Sequence, residues 1–468
     1  MGWSFHSWLR GGWSRCSKGP CYPLTAAETQ SQITPANFGY VPGDLRRYGA
    51  ALDGSTDDTW PLRQALAQAQ QPNGAPVYLP RTTGGCRIAA SSSLPPITNQ
   101  ITIYGDDLNR SDFLLSNDIT LFIFKDQGAY YSSLRRIAII GRGSGATQPA
   151  VVFNNCAYTI IDSCLIRNCG IGVQYQTGSG ASFLNTIRDS QIVNNQTVCI
   201  DCQAGTNVLS LFNVTFGGGP AQKGIHIVDS NTLSIFGFDC EGVSVCAIDI
   251  DATMSGTGGH FICGGDLEGN TCSLGDIRLG GSNLYPVIGV SIRGLTLSSG
   301  AGDLAFLNAV NCIGVSVSDC FYGSGYSGAG LIDGWLLLGT NARGVTVNNF
   351  SNTTASVESS IQTFGTIAWS HSPISGVATT LVSGGTISTS GLTVQRVAPN
   401  TVVTGVILQA GYRPGQQFAL INEAQQSSIT FAAPSVSNVA DRTADVIAGL
   451  TARSFVWNSV TARWYRQV

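Results

Sequence analysis

Two lines of the chain, LSIFGFDCEG from Leu233 and HFICGGDLEG from His260, carry Asp-x-Glu-Gly at the same point. Asp239 and Asp266 are 27 residues apart, and so are Glu241 and Glu268. On an extended strand, residues i and i+2 share a face. Stacking the two lines therefore gathers four carboxylates on one patch. Paired carboxylates are what glycoside hydrolysis uses, one as a protonated acid and the other as an ionised base or nucleophile. At about 5 Å and an effective dielectric of ~20, two like charges repel by roughly 3 kcal/mol. That raises one pKa and separates the two roles. A structural reading competes: acids beside a glycine at a strand end accept turn N–H groups.

Other residues bear on the same chemistry. Asp249 and Asp251 alternate on the next strand, where they widen the acidic groove or face water, and Asp276 holds a comparable place one line later. Arg278 and Arg293 are candidates to bind an acidic sugar, the alternative being surface ion pairs. His226 and His260 are acid–base or structural. Asp162, Asp189 and Asp319 stand where turns are expected. Trp457, Trp464 and Tyr465 could stack on sugars or fill a small core. Cys199 and Cys202 form a CxxC with no second pair at zinc spacing, so neither a metal nor another cofactor is expected. The GRGSG from Gly141 is followed by no helical pattern and is not a phosphate loop.

The elements that position these groups follow from a repeating line: a small polar residue, an aliphatic one, any residue, then Gly, Asp or Asn. Its last residues are Gly105, Gly141, Asp162, Asp189, Asn213, Gly237, Gly264, Gly294, Asp319 and Asn349. From Gly141 the steps are 21, 27, 24, 24, 27, 30, 25 and 30. A period in the twenties with β-type apolar residues marks a solenoid in which each coil buries its apolar face against its neighbours. Parallel crossovers are right-handed. The expectation is an all-β chain built on a right-handed, single-stranded parallel β-helix over residues 41–350. Residues 1–40 read as a weakly structured leader and lead-in. Residues 60–70 carry a helical apolar spacing that ends at Pro72-Asn73-Gly74, placed to cover the solenoid's N-terminal end. Residues 351–375 are Ser/Thr-rich and read as a linker. Residues 376–468 read as a small β-sandwich or β-prism, serving oligomerisation or glycan binding.

Composition narrows the classes. Charged residues are 11% of the chain, against a usual ~25%. Glycine accounts for 57 of 468 residues, which fits many turns. No apolar run approaches the ~18 residues of a membrane helix. The formal charge of −3 and the scattered Lys and Arg give no basic patch for nucleic acid. Most of the 14 cysteines lie in apolar strand patterns, which points to buried thiols. Residues 1–18 lack a continuous apolar core and do not read as a signal peptide. They read as an ill-ordered leader or the remnant of a longer head-binding region.

The run DLRRYGAALDGSTDDT from Asp44, a helix, then VYLP from Val77 resembles the start of the pectate-lyase-like (rhamnogalacturonase/epimerase-type) right-handed β-helix family. The TPANFGYVPG from Thr34 and the C-terminal region resemble the branch of bacteriophage tailspikes and prophage tail proteins. The resemblance implies a homotrimer on a virion tail that binds, and often cleaves, a bacterial surface polysaccharide. Hydrolase, non-catalytic adhesin and polysaccharide lyase all fit it. The polygalacturonase residue set is missing: there is no Asn-Thr-Asp, Gly-His-Gly or Arg-Ile-Lys.

Overall fold

The computed structural model describes residues 21–352, apart from 177–179, 299–301, 323–325, 329–330, 332–334, 340 and 349–350, and segments between 368 and 466. Among these residues no helix is long and apolar enough to cross a membrane.

An aliphatic column sets the architecture. Val77, Ile103, Leu134, Ile161, Ile187, Leu211, Ile235, Ile262, Ile292, Val317 and Val347 pair one to the next in parallel register. All are fully buried. Each contributes about 1.5–3 kcal/mol by leaving water, and none could do so without the coil above or below. The result is a parallel β-solenoid of about 11 turns.

Every coil has three faces. In the coil of the first acidic line they are residues 233–236, residues 238–241, and the strand Cys246–Asp251. The first two faces often run as one bent strand, as in Ser182–Val193, Thr206–Gly217, Asn231–Glu241, Thr257–Glu268 and Val287–Ser298. Single left-handed residues make the bends. Thr232, Gly237 and Gly242 bound the two faces of one coil, and Gly259, Gly264 and Gly269 those of the next. Leu184, Asp189 and Asn194 do the same two coils earlier. The spacing is five residues each time, so four residues alternate in, out, in, out between corners. From Ser133 onward coil length varies only in the third face and its connections; in the two coils before it, extra residues such as 106–111 separate the first face from the second.

Left-handed backbone costs an L-residue about 1–2 kcal/mol, less for Asn or Asp. Asn213 occupies the position of Gly237 one coil earlier, and a Cβ added at Gly237 meets nothing closer than 3.9 Å. Gly237→Asn is therefore expected to leave the thermal unfolding midpoint nearly unchanged. Gly237→Val should lower stability by about 1–2 kcal/mol, and equal midpoints for the two variants would refute the corner argument.

The corner register corrects two anchors. The Gly105 line pairs with Ser133–Arg135, so the left-handed corner is Arg136. Ala138–Ile140 lies on the following face, and Gly141 sits five residues late. Asp162 pairs with Arg188, so the corner is Ser163 and the anchor falls one residue early. Asn349 lies outside the described residues.

The lead-in also differs from the weakly structured stretch expected. Residues 21–58 fold around one buried ion pair. Arg47 donates to both carboxylate oxygens of Glu28 (2.6 and 2.9 Å) and to the main-chain carbonyls of Tyr22, Pro23 and Tyr40. Both side chains are fully buried. Glu28 sits in the helix Ala26–Gln30, closed by a Thr25 capping box. The helix Thr59–Ala69 buries Leu62, Ala65, Leu66 and Ala69 in the same core as Val77 and Leu79.

Solenoid pairing continues past residue 350: Ser351–Asn352 and Ala368–Trp369 add strands beside Phe321–Tyr322 and Thr346–Asn348. Both fall within the stretch read as a linker, whose other residues lie outside the described set. Beyond it, strands form two four-stranded sheets with a separate apolar core. Trp457 and Trp464 pack 5.3 Å apart in that core, where no sugar can reach them.

Candidate functional site

The two acidic lines lie side by side. Asp239 pairs with Asp266 and Glu241 with Glu268 in parallel register. Their strand neighbours Phe238, Cys240 and Leu267 are buried inside the coil, while Glu241 and Glu268 are exposed and the two aspartates half-buried. The four carboxylates therefore face outward. They are bracketed by Thr215 and Gly217 on one side and Thr296 and Ser298 on the other, so the strip is two coils deep.

Turn capping does not occupy these acids. Gly242 donates its N–H to the main-chain carbonyl of Glu268 (3.3 Å), and Gly269 to that of Ser298 (2.9 Å). The next N–H, at Val243, goes to the buried side chain of Asn270 (3.0 Å). Among the described residues the ion pairs leave all four carboxylates out. Burial, followed by the charges of Glu241, Asp266 and Glu268, pushes the Asp239 carboxyl above the usual carboxylate range. Asp266 is raised by burial and by Glu268, against the N–H of Leu267. Its Oδ1 is shielded from solvent and has no hydrogen-bond partner.

An exposed aromatic ladder runs along the first face, just before the corner. Phe212 and Phe236 stack with centroids 5.2 Å apart and planes 5° from parallel; Phe261, half-buried and in register with Ser234 two residues earlier on the strand, lies 5.2 Å from Phe236 at a 43° tilt. Phe212 and Phe236 are 41% and 39% exposed. Phe236 precedes the corner at Gly237, and Asp239 follows it by two.

The remaining sequence candidates lie elsewhere. Asp249 and Asp251 belong to the third face and do not widen the acidic strip. Asp249 is fully buried, clamped by Arg278 (2.7 Å twice) and Lys223 (2.6 Å). Burial opposes its ionisation, but Arg278 and Lys223 outweigh it and hold the carboxyl below the usual range. Asp251 accepts the N–H and hydroxyl of Ser282, closing a turn. Arg278 is spent on Asp249, and Arg293 pairs with Asp319 at 3.0 Å. His260 is buried and its pKa falls to about 4, so it is neutral; its ring meets the Leu233 N–H and the Thr257 hydroxyl.

A second polar cluster was missed by sequence reasoning. Gln174, Asp201, His226, Asp249 and Arg278 pair in register along the third face. His226 Nδ1 lies 2.9 Å from Asp201, and Nε2 lies 4.0 Å from Asp249. The cluster borders an open depression of about 560 Å³. Its only sequence signal is a column of polar residues in the middle of apolar strands, visible once the register is known.

Metal ligation has one geometric candidate among the described residues. Cys272, Asp276 and Asp303 are buried, with one donor atom from each within 4.8 Å of the others. Asp276 already accepts from Tyr326 (2.8 Å) and Asn270 (3.2 Å), and burial raises its pKa to about 6. Among the described residues twelve cysteines are free thiols, all buried but Cys263, including the CxxC pair.

No family model matches the chain, and no curated protein does. Among solved structures, the A-module of mannuronan C-5 epimerase AlgE6 of Azotobacter vinelandii is similar at 13% identity and a TM-score of 0.50, covering 70% of this chain and all of that one. The chain is a right-handed parallel β-helix. Two tailspikes resemble this β-helix less closely. Tailspike protein 2 of Escherichia coli O157:H7 bacteriophage CAB120 matches at 14% identity and a TM-score of 0.44, over 67% of this chain and 43% of that one. The tailspike of Acinetobacter baumannii phage AM24 matches at 12% and 0.44, over 67% and 55%. At these identities the likeness concerns the fold.

Proposed function

We propose that this β-helix is a phage tail protein that binds a bacterial surface polysaccharide and cleaves it by hydrolysis at the acidic strip. The observation that carries the reading is the strip itself. Four outward carboxylates, free among the described residues of ion pairs and of turn-capping duty, stand together on two coils. Such an arrangement costs stability, which a purely structural role does not account for. The tail assignment and assembly as a homotrimer rest on the sequence resemblance.

Asp239 acts as the general acid. Its raised pKa keeps a proton available for the leaving oxygen. Asp266 is raised as well and is poorly suited to be the base. That role falls to an exposed glutamate, Glu241 on the same strand or Glu268 on the diagonal. Two residues along a strand span roughly 6.6 Å, and one strand spacing of ~4.8 Å across makes the diagonal about 8 Å. Both lie in the ~6.5–9.5 Å window that leaves room for an attacking water, so inversion at the anomeric carbon is expected. A lyase would need a cation free to neutralise a uronate, and Arg278 and Arg293 are both engaged.

Incubation with purified capsule and O-antigen polysaccharides tests this. New reducing ends are expected. Unsaturated, UV-absorbing products would mean elimination, and binding without products would mean an adhesin. The pH–rate profile offers a second check. Glu241 is the foremost charge raising Asp239, so Glu241→Gln should lower the Asp239 pKa and move the alkaline limb of any residual activity to lower pH. An alkaline limb that stays in place would remove Asp239 from the acid role.

A further inference from the structure

We propose that Phe212, Phe236 and Phe261 form the binding platform for the glycan, and that the platform selects repeat units without charge, N-acetylated amino sugars included. The proposal rests on the reading of the acidic strip as the cleavage site.

The fold does not need these phenyl rings. The buried side of the same strands is filled by Leu211, Ile235 and Ile262. The phenyls point the other way, and the outward column of Phe212 and Phe236 continues as Arg188 on one side and as Cys263 (on the strand of Phe261), Arg293 and Ser318 on the other. Large apolar side chains left exposed and contiguous mark a binding surface. The 5.2 Å spacing of Phe212 and Phe236 follows one rung of the solenoid, and the half-buried Phe261, in register with Ser234, extends this short apolar strip diagonally. A pyranose carries C–H groups on one face and hydroxyls at its rim, so a glycan laid along the axis can set that face on the strip and keep its hydroxyls in water. From Phe236 to Asp239 is three residues, at most about 10 Å of chain. A sugar on the platform therefore has its glycosidic oxygen within reach of the acid.

Charge decides the class of sugar. The strip beside the ladder holds four carboxylates with no cation paired to them among the described residues. The cations that bracket the ladder, Arg188 and Arg293, are bound to Asp162 (2.6 Å) and Asp319 (3.0 Å). A uronate or phosphate in each repeat would meet repulsion and no counter-charge.

The test uses the Asp239→Asn chain, which should bind without cutting, on an array of bacterial capsule and O-antigen polysaccharides sorted by repeat-unit charge. Hits should be confined to uncharged repeats, and their affinity should change less than twofold between low and high salt. Adding Phe236→Ala should weaken binding at least tenfold, with Phe212→Ala as a second variant; both sites are exposed, and thermal midpoints check the folding. Hits carrying an acid in every repeat overturn the proposal, as do affinities that fall steeply with salt, or unchanged binding in both phenylalanine variants. Binding by no polysaccharide overturns it together with the reading it rests on. The two fail separately otherwise. Cleavage by the intact chain that neither phenylalanine variant impairs removes the platform alone. Platform-dependent binding with no new reducing ends removes the hydrolysis alone.

Discussion

Asp239→Asn should abolish polysaccharide cleavage while leaving the protein as stable as before or more so. The amide matches the carboxyl in shape but has no proton to give to a leaving oxygen, and losing a positioned acid typically costs 10²–10⁴-fold in rate. The stability half separates a functional acid from a structural one. At a pH where Asp239 is ionised, removing its charge relieves repulsion on the order of 0.5 kcal/mol, whereas removing a turn cap would cost about 1 kcal/mol. The sign of the pH dependence agrees. Asp239 and Asp266 titrate above their unfolded values, so between the two pKa values the folded chain holds more protons than the unfolded one. Stability must then fall as pH rises through that window, and Asp239→Asn should flatten the slope. Reducing-end release and thermal unfolding of one preparation read both halves. Retained cleavage, or a lower unfolding midpoint, would end the assignment.

The second large effect concerns the lead-in. Arg47→Met strands the Glu28 carboxylate in a fully buried site, and breaking such a pair from one side costs about 3–5 kcal/mol. Residues 21–50 should then become accessible to chymotrypsin at Tyr22, Phe38, Tyr40 and Tyr48, with the coils beyond still resistant. Glu28→Gln combined with Arg47→Met should recover part of the loss, because no uncompensated charge remains. Burial opposes ionisation of Glu28, yet Arg47 and Thr25 outweigh it and hold the carboxyl below its usual range. Its stabilising contribution is thus complete above the unfolded carboxylate pKa and disappears as pH falls through the lowered one. Wild-type protease resistance in Arg47→Met would show that the pair does not hold the lead-in.

Much of the fold could be read from the order of residues. An aliphatic residue flanked by turn formers recurs with a step in the twenties, and the copies from Asp189 to Asp319 fall on the same corner. The two misplaced copies show what a single line lacks. Ala138-Ile-Ile-Gly141 looks like its neighbours but belongs to the next face, because both faces obey the same in–out alternation. A sharper signal was present in Gly259, Gly264 and Gly269, whose five-residue spacing distinguishes one face from two. At the site, the outward acids followed from that alternation. The Asp249 clamp did not, since Lys223, Asp249 and Arg278 come from three different coils and only their register brings them together. The lead-in was misjudged because Glu28 and Arg47 lie 19 residues apart in a polar stretch, and nothing local reveals that both are buried.

The five-residue spacing of the corners has a further consequence for how such a chain can diverge. One inserted residue between Thr232 and Gly242 would exchange every inward and outward side chain after it. Insertions or deletions in the connections of the third face only lengthen or shorten a loop. From Ser133 onward, sequence drift in length is thereby channelled to one flank of the molecule. The flank bearing the phenyl ladder and the carboxylates can change only by substitution, one rung at a time. A new specificity would arise there by swapping side chains on a fixed lattice, while loops on the far flank are free to acquire new partners.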